Sequence, residues 1–469
     1  MTLDLADIQA NVLRGYRAGH ARHFALSLPG PTSGAALLTS VTSGAGGTCP
    51  QVTNAELWTS KPDYCLNVGL TSAGLAACGV PATTIADFPL AFQQGSATRS
   101  AASTSPPDVG LGDIGDSAPD RWILGAPGAA AVHLLISLGT GSAATLETRS
   151  GQLRQQFSLH GVAEIFHLDA LALPGGAVHF GYRDGIAQPW IDGTPGHRPE
   201  DLQPTVPTGD FLLGKDYRNH YQGNFLGGIP PVLGDNATYS AFRILRQDVQ
   251  AFEDFLTLAA ERWRLDRELV AAKLLGRWRN GTPLVLSPDQ PATVSDATLN
   301  AYDYASTADH PTFFDDAAGF RCPIGAHVRR LNPRGALVMG QPHSRRIVRR
   351  GMPYGPAFDP SHPDTADRGL VGHFICGDLE SQFEFIQRVW VNEDIATSGL
   401  RGTRDPFLGA QPATGGRFVV RCTDTRDPVV LDDLPRLVQT RGSLYCFLPG
   451  MGGLRFLASL AANAAPRAP

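Results

Sequence analysis

Strand-like and helix-like segments follow one another in a fixed order in the first 170 residues, and a similar order returns after residue 236. Residues 22–28 (Arg22 to Leu28) read as a strand, alanine, leucine and threonine over 35–43 predict a helix, and Tyr64 to Thr71 reads as a second strand followed by a short helix ending at Cys78. Ala131 to Leu138 is the clearest strand of the first half, with a polar helix over 143–157 and a further strand over 159–168. Two strand–helix–strand runs of this kind predict a ferredoxin-like α+β unit with its helices on one face of the sheet. In the second half, Ala237 to Leu245 alternates like a strand, and residues 248–262 place Val249, Phe252, Phe255, Leu256 and Ala259 on one helical face. A helix over 266–276, a strand at Phe374 to Cys376, a helix over 378–390 and strands at 417–422 and 443–448 complete the pattern. The Gly/Ser/Pro-rich stretch 94–120 reads as loop, and the alanine-rich tail after 458 as a fraying helix end.

Length sets the domain count. At 469 residues the chain exceeds what one hydrophobic core usually serves. We therefore expect two domains, 1–200 and 201–469, joined near the start of the Gly-, Pro- and Asp-rich segment 190–235. Hydrophobic residues at 42% and charged residues at 18% fit a folded protein. A net charge of −5 gives no electrostatic basis for binding nucleic acid or an anionic membrane. The N-terminus is acidic (Asp4, Asp7) where a signal peptide would be basic, and no window approaches the ~20 apolar residues of a membrane span. The seven cysteines are scattered and form no C-x-x-C pair, so reduced thiols and a cytoplasmic location are expected.

Two segments carry chemistry. In His179-Phe-Gly-Tyr-Arg-Asp-Gly-Ile-Ala-Gln-Pro189, Gly181 and Gly185 bracket Asp184. Either the carboxylate forms a turn on its own backbone, or it is a positioned acid/base. In Arg321-Cys-Pro-Ile-Gly-Ala-His-Val-Arg-Arg-Leu-Asn-Pro-Arg334, a lone histidine, His327, is followed by Arg329, Arg330 and Arg334. A histidine among small and apolar residues is usually a satisfied core residue, but three arginines behind it point to an anionic partner such as a carboxylate or phosphate. Further on, Arg345-Arg346 and Arg349-Arg350 flank Ile347-Val348, so one pair can face a pocket while the other faces solvent.

Over nearly its whole length the chain resembles the dye-decolorizing peroxidases, a haem enzyme family. The resemblance rests on G-x-x-D-G at Gly181–Gly185, C-P-x-x-A-H-x-R-x-x-N-P-R at Cys322–Arg334 and I-x-R-R-G-x-x-Y-G at Ile347–Gly355. Segments around Asp7-Ile8-Gln9, Leu275–Leu284 and Gln382–Gln387 support it. It implies two ferredoxin-like domains of the dimeric α/β-barrel type, with haem b in the C-terminal one. The absence of a cysteine-pair attachment motif makes the haem non-covalent. The resemblance makes His327 the proximal iron ligand, Asp184 the distal acid/base and Arg349 the distal cation, with Gly181, Gly185, Arg329 and Arg345 also expected at the cofactor. His373 departs from the large apolar residues the family presents there, and is expected at the cofactor either as a second distal proton acceptor or pointing elsewhere. Asp405 or Glu384 is expected to orient His327. The implied activity is reduction of hydrogen peroxide through a ferryl haem that dyes, phenols or other aromatic donors restore by one-electron steps, and a homo-oligomer is compatible with it. Two other readings stay open: a non-catalytic haem binder, which needs His327 but no Asp184–Arg349 pair, and a haem-handling protein that removes iron.

Overall fold

The computed structural model describes residues 3–464 apart from 102–109, 196–202, 215–216, 222–225, 297, 306–315, 337–341, 394–399 and 422–426. Cys422 lies outside the described residues. The fold is α+β, with ten strands among the described residues: β1 His20–Ser27, β2 Tyr64–Leu70, β3 Leu134–Thr140, β4 Ala163–Leu171, β5 Thr238–Gln247, β6 Val348–Tyr354, β7 Gly369–Cys376, β8 Gly416–Val420, β9 Val429–Leu434 and β10 Val438–Leu448.

Eight of them form one antiparallel sheet in the order β4-β1-β3-β2-β10-β5-β7-β6. The first four strands supply one half and four later ones the other, and the halves meet where Phe447 of β10 pairs with Leu70 of β2. Gly69 permits that approach, because a Cβ there would stand 3.0 Å from the Cβ of Cys446. The sheet curls until its edge strands β4 and β6 lie beside each other, so its inner face encloses a barrel interior.

Helices cover the outer face. Pro31–Ser43, Ala143–Leu159 and Met451–Ala464 pack over the first half, burying Leu37, Leu38, Leu153, Phe157, Leu454 and Leu457 against Phe24, Leu66, Val68 and Ile136. Val249–Trp263 and Arg267–Leu275 cover the second half through Phe252, Phe255, Leu256, Val270 and Leu274, as the apolar spacing requires. Two local expectations fail. The segment 94–120 is not all loop, because Leu90–Ala101 is helical; its apolar spacing is interrupted at Gly95, whose φ of 74° breaks the helix geometry internally. The helix expected over 378–390 is a pair of π-helical stretches, Leu379–Glu384 and Ile386–Asn392. No helix among the described residues is long and apolar enough to cross a membrane.

Candidate active site

On the outer face of β5, β6 and β7 lies a cavity bounded by His327, Asp184, Arg349 and Arg346, with Leu245, Leu275, Leu370, Phe374 and Phe407 among its apolar walls. Strand alternation sets which residues reach it. On β6, Arg349 and Gly351 line this cavity, whereas Val348 packs into the barrel core.

His327 opens the short helix His327–Leu331. Asp316 shapes the loop before it, accepting the N–H groups of Arg321 (3.0 Å) and Cys322 (2.9 Å). The His327 Nδ1 lies 2.9 and 3.0 Å from the two oxygens of Asp405, a fully buried carboxylate. Asp405 also accepts the N–H groups of Phe407 (2.9 Å) and Leu408 (2.8 Å). Burial alone would push its carboxyl up. The His327 ring, the Leu408 N–H and Arg330 outweigh that, and the pKa is lowered. An ionised carboxylate only accepts, so Nδ1 carries the proton and Nε2 is left as the ring's unprotonated, lone-pair nitrogen for the cavity. Glu384, the alternative orienting acid, is instead held by Arg99 (2.9 Å to Nε) and the Tyr445 hydroxyl (3.0 Å).

The distal loop is fastened to β6 at both ends. His179 Nε2 bonds the Tyr354 carbonyl (2.8 Å). Gln188 pairs with Arg349 on both sides of its backbone, accepting its N–H (3.1 Å) and donating to its carbonyl (3.0 Å). Arg349 in turn donates from Nη2 to the Ala187 carbonyl (2.7 Å). Gly181 and Gly185 have φ of 83° and 75°, and a Cβ on Gly181 would stand 2.6 Å from Arg279 Nη1. Asp184 donates its backbone N–H to Gly176 (3.0 Å), while its carboxylate is exposed to the cavity and has no partner among the described residues. Phe180 and Tyr182 pack with Phe252 on Phe407, and Phe407 lies edge-on to the His327 ring at 5.4 Å. One aromatic cluster therefore spaces the distal loop from the proximal histidine.

The structure does not bring every expected residue to the cavity. Arg329 is buried away from it, donating to Asp316 (3.1 Å) and the Cys322 carbonyl (2.7 Å) beneath the Tyr304 ring. Arg345 stacks on Phe385 at 3.6 Å and donates to the Ser381 carbonyl. Its φ of 54° precedes β6, so strand alternation does not reach back to it. The cavity takes Arg346 instead. That guanidinium is fully enclosed, has no acceptor among the described residues, and is lowered to about 9 by burial, with Arg334 and Arg349 adding repulsion. His373 reaches the cavity wall, but Ser137 Oγ (2.8 Å) and Ser240 Oγ (2.9 Å) occupy both its ring nitrogens.

A haem fits these residues. An unpaired imidazole nitrogen suits an axial iron ligand. Arg346 and the unpartnered Nε and Nη1 of Arg243 on the cavity wall suit the two carboxylates, and the apolar walls suit the macrocycle.

Comparison with known proteins agrees with the motifs. No family model matches the chain. It is 28% identical over 497 residues to dye-decolorizing peroxidase msp1 of Mycetinis scorodonius, covering 98% of this chain and 88% of that one. Another dye-decolorizing peroxidase, from Exidia glandulosa, is 26% identical over 97% of this chain and 87% of its own. Along nearly its whole length the chain is similar to dye-decolorizing peroxidases. Solved structures share the fold: a dye-decolorizing peroxidase in complex with 2,6-dimethoxyphenol superposes with a TM-score of 0.79 at 24% identity, covering 97% of this chain and all of that one. A dye-decolorizing peroxidase with one aspartate replaced by asparagine, in complex with cyanide, reaches 0.80 at 23% identity over 98% of this chain. In this chain, Gln188, Asp405 and Arg346 belong to the site as much as the motif residues do. Gln188 and Arg346 stand within or beside the motifs, and what the sequence lacks is the strand phase that aims them.

Proposed function

We propose that the protein is a haem-dependent peroxidase that uses hydrogen peroxide to oxidise dyes, phenols and other aromatic donors by one-electron steps, with haem b bound non-covalently. One observation carries the reading: an unpaired carboxylate, Asp184, and a fixed cation, Arg349, are held on one hydrogen-bonded loop–strand unit across the cavity from an oriented histidine. A protein that merely stored haem would need His327 and Asp405 but gains nothing from that distal pair.

When bound, the haem would supply the iron that takes up peroxide and would hold the two oxidising equivalents that peroxide delivers until aromatic donors discharge them. The chain's residues do the rest. His327 presents Nε2 because Asp405 holds the proton on Nδ1. Asp184 accepts the proton that peroxide loses from one oxygen and returns it to the other, which leaves as water. Arg349 stays cationic and stabilises the negative charge that gathers on the departing oxygen. The six cysteines described are all free and buried, which supports a reducing, cytoplasmic setting.

Stopped-flow mixing of the haem-loaded protein with peroxide tests the assignment. Asp184→Asn is expected to slow the spectral change by about 10²–10⁴-fold while keeping the Soret band. A parental rate in that variant removes Asp184 from the mechanism.

A further inference from the structure

Behind the distal loop, the barrel interior opens into a second cavity of about 1070 Å³. It shares Asp184, Arg349, Gly351 and His373 with the haem cavity, so its contents adjoin the reacting centre. Five arginines line it against two aspartates, and one of those, Asp296, is already paired with Arg183 at 2.8 Å. A protein whose net charge is −5 thus carries a locally cationic chamber.

Arg350 is the centre of that charge. It sits on the inward side of β6, paired in register with His373 of β7. Its Nε donates to the Asn11 carbonyl (2.8 Å) and its Nη1 to the Arg349 carbonyl (3.3 Å), and no carboxylate among the described residues pairs with it. Burial lowers its pKa to about 10, which still leaves it cationic at any pH where the protein works. The Cys65 thiol nearby offers no countercharge, because burial pushes its pKa up. His23 and His373, pushed down to about 4 and about 3 mainly by burial, are neutral. A partly buried guanidinium without a carboxylate partner, in a chamber of mostly like charge, leaves a positive charge that an anion would complete. Tyr16 and Trp190 line the same chamber and offer aromatic walls.

We infer that Arg350 forms an anion subsite in the barrel interior that docks the carboxylate or sulfonate of an aromatic electron donor, with the donor's ring extending toward the Asp184–Arg349 end. This rests on the peroxidase reading for what happens to the donor, but not for its binding. Gly15 stands at the approach: a Cβ there would lie 3.9 Å from Arg350 Nη1, with nothing else within 4 Å.

The test uses full-length, haem-loaded protein and a matched pair of donors, 4-hydroxy-3,5-dimethoxybenzoate and 2,6-dimethoxyphenol, which differ by one carboxylate. Calorimetric titration without peroxide should show the parent binding the benzoate about tenfold more tightly than the phenol. Arg350→Gln should abolish that preference. The ratio of kcat/KM for the benzoate to that for the phenol should fall by the same factor. If Arg350→Gln does not fold, Gly15→Leu, which keeps Arg350 but covers it, should produce the same loss. Equal binding of the two donors by the parent, or an unchanged ratio in the folded variants, overturns the subsite. Sulfate displacing the benzoate at equal concentration also overturns it, since the site would then take a bare anion. If the parent binds the benzoate selectively but oxidises neither donor with peroxide, the peroxidase reading falls and the subsite stands.

Discussion

Across the cavity, His327 and Asp184 face each other with opposite surroundings. The polar group of His327 on its inner side is met by Asp405, a fully buried carboxylate that is met in turn by two backbone N–H groups. Asp184 is fixed only through its backbone and its flanking glycines, and its carboxylate is left exposed without a partner among the described residues. The difference follows from what each side does. A ligand that must hold one atom in one direction gains from every bond that removes an alternative. A group that must accept and release a proton loses if a permanent partner prefers one of its two states. Rigidity on the distal side is therefore placed in the scaffold, through Gln188 and His179, and withheld from the carboxylate.

The largest effect is expected from breaking the proximal half. Asp405→Asn keeps an acceptor for the Phe407 and Leu408 N–H groups but removes the charge that fixes the His327 tautomer. Haem affinity should fall about 10–100-fold, read as haem transferred to apomyoglobin over time. Retention equal to the parent's would mean that Phe407 packing, rather than Asp405, orients the ring.

A smaller effect is expected from loosening the distal scaffold. Gln188→Ala removes both bonds to the Arg349 backbone, and neutral hydrogen bonds contribute about 1 kcal/mol each to stability. The denaturation midpoint should move modestly. The rate of reaction with peroxide should fall about tenfold, because Asp184 and Arg349 lose their shared register. If stability drops while that rate is kept, the loop is positioned by its aromatic residues alone.

Much of this contrast could be read from the chain before folding, and what could not has definable causes. His327, Asp184 and Arg349 were legible because each is the chemically distinctive residue of a motif whose order repeats that of a known family. The strands and the helix Val249–Trp263 were legible from periodicity, since their apolar faces are continuous. Arg345 and Arg346 were not separable, because which of two neighbours faces inward depends on where β6 begins, and Arg345 lies outside it in the left-handed region. Arg329 looked like an anion binder, but Asp316, thirteen positions away, had already claimed it through a loop with no periodic signature. Asp405 and Glu384 were equivalent as sequence, and only the three-dimensional placement of Arg99 beside Glu384 decided between them. The register of β6 against β7, which turns Arg350 and His373 into the barrel together, has no local signal.

The smallest effect concerns stability against pH, and it separates the two regions by window. His23 and His373 sit behind the distal loop, with folded pKa values of about 4 and about 3 against an unfolded value near ~6.5. Below pH ~6.5 the unfolded chain binds protons that the folded chain refuses, so their contribution is complete above that pH and declines as pH falls toward the folded values. Asp405 is also lowered, but its unfolded reference is near ~3.9, so its contribution is lost only in stronger acid. Between pH 7 and pH 4.5 the two barrel histidines should therefore contribute a loss on the order of 2 kcal/mol each. Urea midpoints across that range should fall in the parent and fall less in His373→Gln, whose amide can still meet Ser137 or Ser240. The Asp405→Asn protein should keep the parental slope over the same range. A slope that flattens in Asp405→Asn instead would place the acid-sensitive group on the proximal side and reverse the contrast between the two halves of the site.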